Sequence, residues 1–148
     1  MENNSFKVYS YILLVLTSYM LAIIANQICW ITFAPITSRV ALLLDVTDLQ
    51  VGILSMCFMI VFIFVSVPAS WIIDKYGIKI GVGIGAILTG IFALMRGLVS
   101  TDYNSILLSQ IGIAIGQPFL LNAFTKVSSK WSPISERATA AGLGNLSM

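Results

Sequence analysis

The chain alternates between long stretches without a charged side chain and short charged punctuation. No Asp, Glu, Lys or Arg falls between Val8 and Ser38, between Leu49 and Ile73, between Ile80 and Met95, or between Tyr103 and Thr125. A helix needs roughly 17–25 mainly apolar residues to cross the hydrocarbon of a bilayer. The first, second and fourth stretches reach that length unaided. The third reaches it when counted from Ile78 to Leu98, with Lys79 and Arg96 near its ends. The spacing predicts spans over about 9–34, 51–73, 78–98 and 104–126. The strict polar–apolar alternation of barrel strands is absent.

The punctuation between spans has its own chemistry. Pro35 closes the first span, since the residue before a proline disfavours helix. An outer loop then runs to Asp48 and carries a short apolar run, Val40 to Leu44. Thr47 with Gln50 has the spacing of a capping box for the second span. The Asp74–Gly77 turn joins the second and third spans, and Gly77 permits the tight reversal. Asp102, or its neighbours Ser100 and Thr101, can cap the fourth span. Beyond it, Lys126, Lys130 and Trp131 make an interfacial cluster of basic and aromatic residues. Ser132 and Pro133 read as the N-cap and first turn of a fifth helix, which has only begun when the chain reaches Met148. An end inside an apolar segment, Ala138 to Met148, is expected of a fragment or truncated reading frame of a longer membrane protein.

Composition narrows the class. Of the 148 residues, 58% are apolar and 9% charged, with a mean hydropathy of +0.97. A soluble domain carries about a quarter charged residues, so a water-soluble enzyme is excluded and the expected fold is an all-α transmembrane bundle. The first stretch is too long for a secretory signal, and Glu2 precedes it. With the N-terminus in the cytoplasm, Lys7, Lys75, Lys79, Lys126, Lys130 and Arg137 lie inside and Arg39 and Arg96 outside, as the positive-inside rule requires. The basic residues thus sit at membrane edges, and no nucleic-acid partner is implied. Cys29 and Cys57 fall within spans of a chain without histidine and read as small buried side chains; no metal and no cofactor is expected. No His, Asp–Asp or Ser–Lys constellation in the spans suggests an enzyme.

Polar side chains within spans are the candidate chemistry, because in lipid they must face a bundle interior or a wet cavity. Ser18, Ala22, Asn26 and Trp30 share one face of the first span at four-residue spacing, with Gln27 beside Asn26. This face reads either as a substrate wall or as interhelical hydrogen-bonding with Trp30 anchored at the membrane edge. In the fourth span Gln110 and Gln117 lie seven residues apart. Pro118 follows directly and deprives the Ala114 carbonyl of its helical partner. Kinked polar helices at mid-membrane are where transporters bind solutes. Gln117 is therefore the stronger candidate, and Asn122, further round the helix, reads more readily as packing. Arg96 is expected to snorkel to the outer surface. Gly81/Gly85 and Gly112/Gly116 have the spacing that lets helix backbones approach in lipid. The Gly81-Val82-Gly83-Ile84-Gly85-Ala86 run, with Asp102 some twenty residues on, lies within a span and so is not a dinucleotide fingerprint.

Two resemblances join these residues. The run Ile73-Asp74-Lys75-Tyr76-Gly77-Ile78-Lys79 resembles the inner loop between helices 2 and 3 of the major facilitator superfamily, with Ser70 where the usual glycine stands four positions before the acid. The resemblance implies that Asp74, Gly77 and Lys79 form an interdomain latch holding the two transporter halves together in the outward-open state. A narrower resemblance rests on Pro68-Ala69-Ser70-Trp71-Ile72-Ile73-Asp74, on Asn26 with Trp30, and on Gln117-Pro118-Phe119-Leu120-Leu121 running to Lys126 and Trp131. These look like the haem/choline transporter branch named for the feline leukaemia virus subgroup C receptor, although Ser132-Pro133 departs from the usual aromatic there. What that branch implies is contact of a quaternary ammonium solute with Trp30 and Gln117. An aromatic face attracts a cation by about 0.5–2 kcal/mol without needing a carboxylate, which suits spans lacking a central acid. Haem would call for basic groups and more room.

The expected protein is thus the N-terminal portion of a secondary transporter of the cell membrane, with four complete spans and the start of a fifth. It would move a small organic solute, such as the cationic amine choline, by alternating access, in partnership with a missing C-terminal half. The substrate set is Trp30, Gln117, Asn26, Gln27 and Asn122. The rival expectations are a non-transporting membrane subunit or assembly module, a truncated gene product, and a half-size carrier that pairs with itself.

Overall fold

The computed structural model describes residues 2–99 and 101–131, with side chains described for 14, 15, 17–99 and 101–123. The expected fifth helix from about 133 lies outside the described residues, as do the side chains of Lys126, Lys130 and Trp131. Five α-helices follow in order: α1 Glu2–Ile31, α2 Thr37–Leu44, α3 Asp48–Tyr76, α4 Ile78–Leu98 and α5 Tyr103–Trp131. A short 3-10 turn, Ala34–Ile36, stands between α1 and α2. Among the described residues four helical segments are long and apolar enough to cross a membrane: Thr17–Leu44, Asp48–Tyr76, Ile78–Leu98 and Tyr103–Ala123.

The first boundary differs from expectation. α1 ends at Ile31, three residues before Ala34, and Pro35 instead begins the 3-10 turn. Proline has no N–H to donate to the carbonyl of Ile31, so the helical ladder closes before the ring. Hydroxyls take up part of the deficit: Thr32 donates to the Ile28 carbonyl, and Thr37 donates to the carbonyls of Phe33 at 3.1 Å and Ala34 at 3.0 Å. The apolar run expected in a loop is the two-turn helix α2. Its Val40 and Ala41 are buried with Phe33, Val51, Leu54 and Ile106, which supplies the burial that a loop would forgo. Asp45 ends α2 in the left-handed conformation (φ 53°), which a short polar side chain tolerates.

α3 starts at Asp48 on the expected capping box. The Thr47 hydroxyl accepts the Gln50 amide N–H at 3.3 Å, and the Gln50 side chain accepts the Thr47 N–H at 2.9 Å. The connection to α4 is Gly77 alone, with φ +94° and ψ 163°. Asp102 caps α5 by accepting the Ser105 N–H at 3.0 Å and its hydroxyl at 2.9 Å.

α5 is the enclosed helix, packed against α4, α3 and α1. Its contact with α4 depends on missing side chains: a Cβ on Gly85 would lie 2.9 Å from the Gly116 carbonyl, and one on Gly116 would lie 2.8 Å from the Gly85 carbonyl. Of the four glycines read as a close-packing set, Gly85 and Gly116 meet each other, Gly112 lies against the Phe92 ring and Gly81 against Ile73. Among the described residues, three apolar clusters fill the interior. One holds Phe33, Val40 and Leu54 near the α1–α2 turn, the second Cys57, Phe58, Ile113 and Ala114, and the third Tyr19, Ile23, Ile73 and Leu120 near Gly77. Both cysteines belong to the second cluster as free thiols, Cys57 buried and Cys29 half-buried.

Candidate functional site

The polar side chains of α1 and α5 come together across the helix interface. The side-chain amide of Gln117 donates to the Oε1 atom of Gln27 at 2.9 Å. Gln117 is 7% exposed, whereas Gln27 is half-buried and so joins the enclosed amide to a more open side of the bundle. Trp30 follows Gln27 by three residues, which places both on one side of α1 about one turn apart. The indole of Trp30 is half-buried, and its N–H donates to the Ser55 carbonyl of α3 at 3.2 Å. That bond helps to fix the ring, which also packs against the cluster of Cys57, Phe58, Ile113 and Ala114. Gln27, Trp30 and Gln117 therefore provide two amides and an aromatic plane without a carboxylate.

The other two residues expected in the substrate set are engaged elsewhere. Asn26 is 1% exposed and donates to the Thr89 hydroxyl at 2.9 Å and the Ile113 carbonyl at 3.3 Å. It thus joins α1 to both α4 and α5, within the turn of α5 that precedes Pro118. Asn122 donates to the Ser66 carbonyl at 2.9 Å, the Ser66 hydroxyl at 3.0 Å and the Ser70 hydroxyl at 2.9 Å, tying α5 to α3. A buried amide with protein partners is what lipid-embedded packing requires. Pro118 does not interrupt α5, which runs on to Trp131.

Arg96, half-buried in the last turn of α4, turns its guanidinium toward the neighbouring helices. Its Nη1 donates to the Cys29 carbonyl at 2.9 Å and to the Gln110 Oε1 atom at 2.8 Å, and its guanidinium carbon lies 5.3 Å from the Phe33 ring centre. Gln110, seven residues before Gln117, is fully buried and donates in turn to the Cys29 carbonyl at 3.2 Å. The reason lies in the early end of α1: carbonyls in its last turn have no helical amide after them, so they attract donors from neighbouring helices. Thr89, Ser55, Ser66 and Ser70 likewise lie outside the expected set, because small hydroxyls and backbone carbonyls in a span carry no pattern of their own.

At the opposite end of α3 and α4, Asp74, Gly77 and Lys79 stand within one tight reversal, with Asp74 and Lys79 exposed. Lys75 sits 4.7 Å from the Trp71 ring centre and 5.4 Å from that of Tyr76. Such a basic–aromatic group suits a membrane boundary.

Solute carrier family 49 member A3 of Xenopus tropicalis is 31% identical over 132 residues, covering 82% of this chain and 27% of the relative. Its Danio rerio counterpart is 28% identical over 129 residues, with the same shares. The Choline/ethanolamine transporter FLVCR1 of Mus musculus is 29% identical over 136 residues, covering 88% of this chain and 24% of the relative. The chain therefore spans about a quarter of the length of these relatives. A model of the Major Facilitator Superfamily matches residues 15–148. With that match over nearly all of its length and four helices fit to span a bilayer, the chain is a multi-pass membrane protein belonging to the Major Facilitator Superfamily.

Proposed function

We propose that this bundle forms the solute-facing wall of a secondary carrier that moves a small organic cation, choline or a related amine, by alternating access. The single observation that carries the reading is the Gln27–Gln117 amide pair, one turn from an indole held by its own N–H. Such a wall offers a cation an electron-rich face and dipoles but no counter-charge, which suits a permanently charged ammonium that must later be released. The mouse relative named as a choline/ethanolamine transporter supports the same solute class. In this reading Trp30, Gln117 and Gln27 touch the solute, while Asn26 and Asn122 hold the helices behind them. A second bundle completes the cavity. Asp74, Gly77 and Lys79 latch the two bundles at the cytoplasmic side, and the N-terminus lies in the cytoplasm of a cell-membrane protein.

The test is uptake of labelled choline into proteoliposomes by protein made from the complete reading frame. Trp30→Ala and Gln117→Ala abolish uptake while membrane insertion stays normal. Wild-type rates in both variants overturn the assignment.

A further inference from the structure

We infer that Arg96, with Gln110, is a positioning residue for Trp30: the two cap the open end of α1 from neighbouring helices and thereby hold the indole in place. The solute consequence rests on the reading of Trp30 given above; the structural consequence does not.

The Cys29 carbonyl belongs to the last turn of α1, which ends at Ile31. A carbonyl there has no helical N–H to accept, and in a low-dielectric bundle an unpaired one is costly. It accepts two donors instead, Arg96 Nη1 from α4 at 2.9 Å and Gln110 Nε2 from α5 at 3.2 Å. These donors are themselves joined, because Arg96 Nη1 also donates to Gln110 Oε1 at 2.8 Å. Both hydrogen-bond acceptors of Arg96 are neutral oxygens, so its positive charge is set against the negative end of the α1 dipole rather than against a carboxylate. The guanidinium also lies over the Phe33 ring, 5.3 Å from its centre, which extends the clamp to the turn that leads into α2.

Trp30 is the residue after Cys29. Its orientation is fixed by the bond to Ser55 on one side and by the backbone of this capped turn on the other. Releasing the cap frees the last turn to unwind toward Pro35 and swings the ring away from α3. A lysine keeps the charge and its N–H donors but has a shorter reach and lacks the flat guanidinium that lies over Phe33.

The experiment uses protein from the complete reading frame. Choline uptake is measured per correctly inserted molecule, and Trp30 emission is read after the other tryptophans are replaced by phenylalanine. Arg96→Gln and Gln110→Leu raise the KM by about 2- to 30-fold, the range a cation–aromatic contact represents, with Vmax largely kept. Trp30 emission moves to the red in both, acrylamide quenching rises, and Arg96→Lys recovers part of each effect. A cap that only stabilised the fold would lower the amount inserted and leave KM and emission alone. An unchanged KM, or unchanged emission in both variants, overturns the proposal. If Arg96→Gln fails to insert, Gln110→Leu decides on the same readouts. If the wild type takes up no choline, the proposed function fails, while the emission arm still decides whether Arg96 positions the indole.

Discussion

Gln117 and Gln27 meet side chain to side chain at 2.9 Å, on helices separated by ninety residues of sequence. Each amide has a donor and an acceptor end, so in the proposed carrier the pair would meet a solute without bringing a charge of its own. Gln117→Leu removes the donor to the Gln27 oxygen; uptake is expected to fall at least tenfold. Gln27→Leu has a smaller effect, because Gln27 is less enclosed. Kinetics on both variants and on the double variant check this: a double variant no worse than Gln117→Leu alone shows one functional unit, and fully additive losses refute it.

The Gly85–Gly116 approach predicts a stability effect independent of transport. A methyl on Gly116 meets the Gly85 carbonyl at 2.8 Å and the Thr89 hydroxyl at 2.9 Å, whereas one on Gly83 meets nothing within 4 Å. Gly116→Ala destabilises the bundle by about 1–3 kcal/mol through overpacking. Gly83→Ala is neutral or slightly stabilising, as alanine is the better helix former. Unfolding of the reconstituted protein by steric trapping compares the two, and equal stabilities refute the close contact.

Much of this architecture is legible from residues that act locally. Thr47 and Gln50 cap within four residues, Gly77 turns the chain by itself, and charge-free lengths mark the spans. The pairings across helices are not legible, because they depend on how each helix is rotated about its axis. In water an apolar stripe reveals that rotation. Here Phe64 and Leu98 are 75% and 86% exposed while Phe58 and Leu54 are buried, so the outward faces are as apolar as the core. The same ambiguity hides the partners of Asn26 and Gln110. Arg96 stands out in the sequence as an isolated charge, but its destination depends on α1 ending at Ile31 instead of Ala34.

Asn26 and Thr89 are expected to couple energetically. Asn26 donates to Thr89 at 2.9 Å in a fully enclosed setting. Interhelical hydrogen bonds in membranes contribute about 0.6 kcal/mol on average and up to about 1.7. A double-mutant cycle with Asn26→Leu and Thr89→Val yields a coupling in that range; a value near zero refutes the bond. Asn26→Asp is far more damaging than either, because it buries a carboxylate with no cation among its two partners.

Gly77 has φ +94° and ψ 163°, and a Cβ placed on it would meet no atom within 4 Å. Conformation rather than space therefore reserves this position for glycine, since that backbone region is almost closed to other residues. Gly77→Ala destabilises the α3–α4 reversal by about 1–3 kcal/mol. Gly52→Ala, equally uncrowded but helical, does not. Hydrogen exchange in the first turn of α4 separates the two, and equal protection in both variants contradicts the backbone argument.

The Asp102 cap gives the bundle an acid-sensitive element outside the membrane. The Ser105 N–H and hydroxyl hold the Asp102 carboxyl below its ordinary value of 3.8. Because the folded value is the lower one, the cap's contribution is fully present above the unfolded value and fades as pH falls through the folded value. Between pH 7 and 5 the stability difference between wild type and Asp102→Ala stays constant. Below about pH 4 it closes. Asp102→Asn, which still caps but does not titrate, holds its advantage over alanine through the same range. Thermal unfolding of the three proteins across pH measures this; a wild-type advantage that persists undiminished to pH 2 shows that the carboxylate is not the capping group.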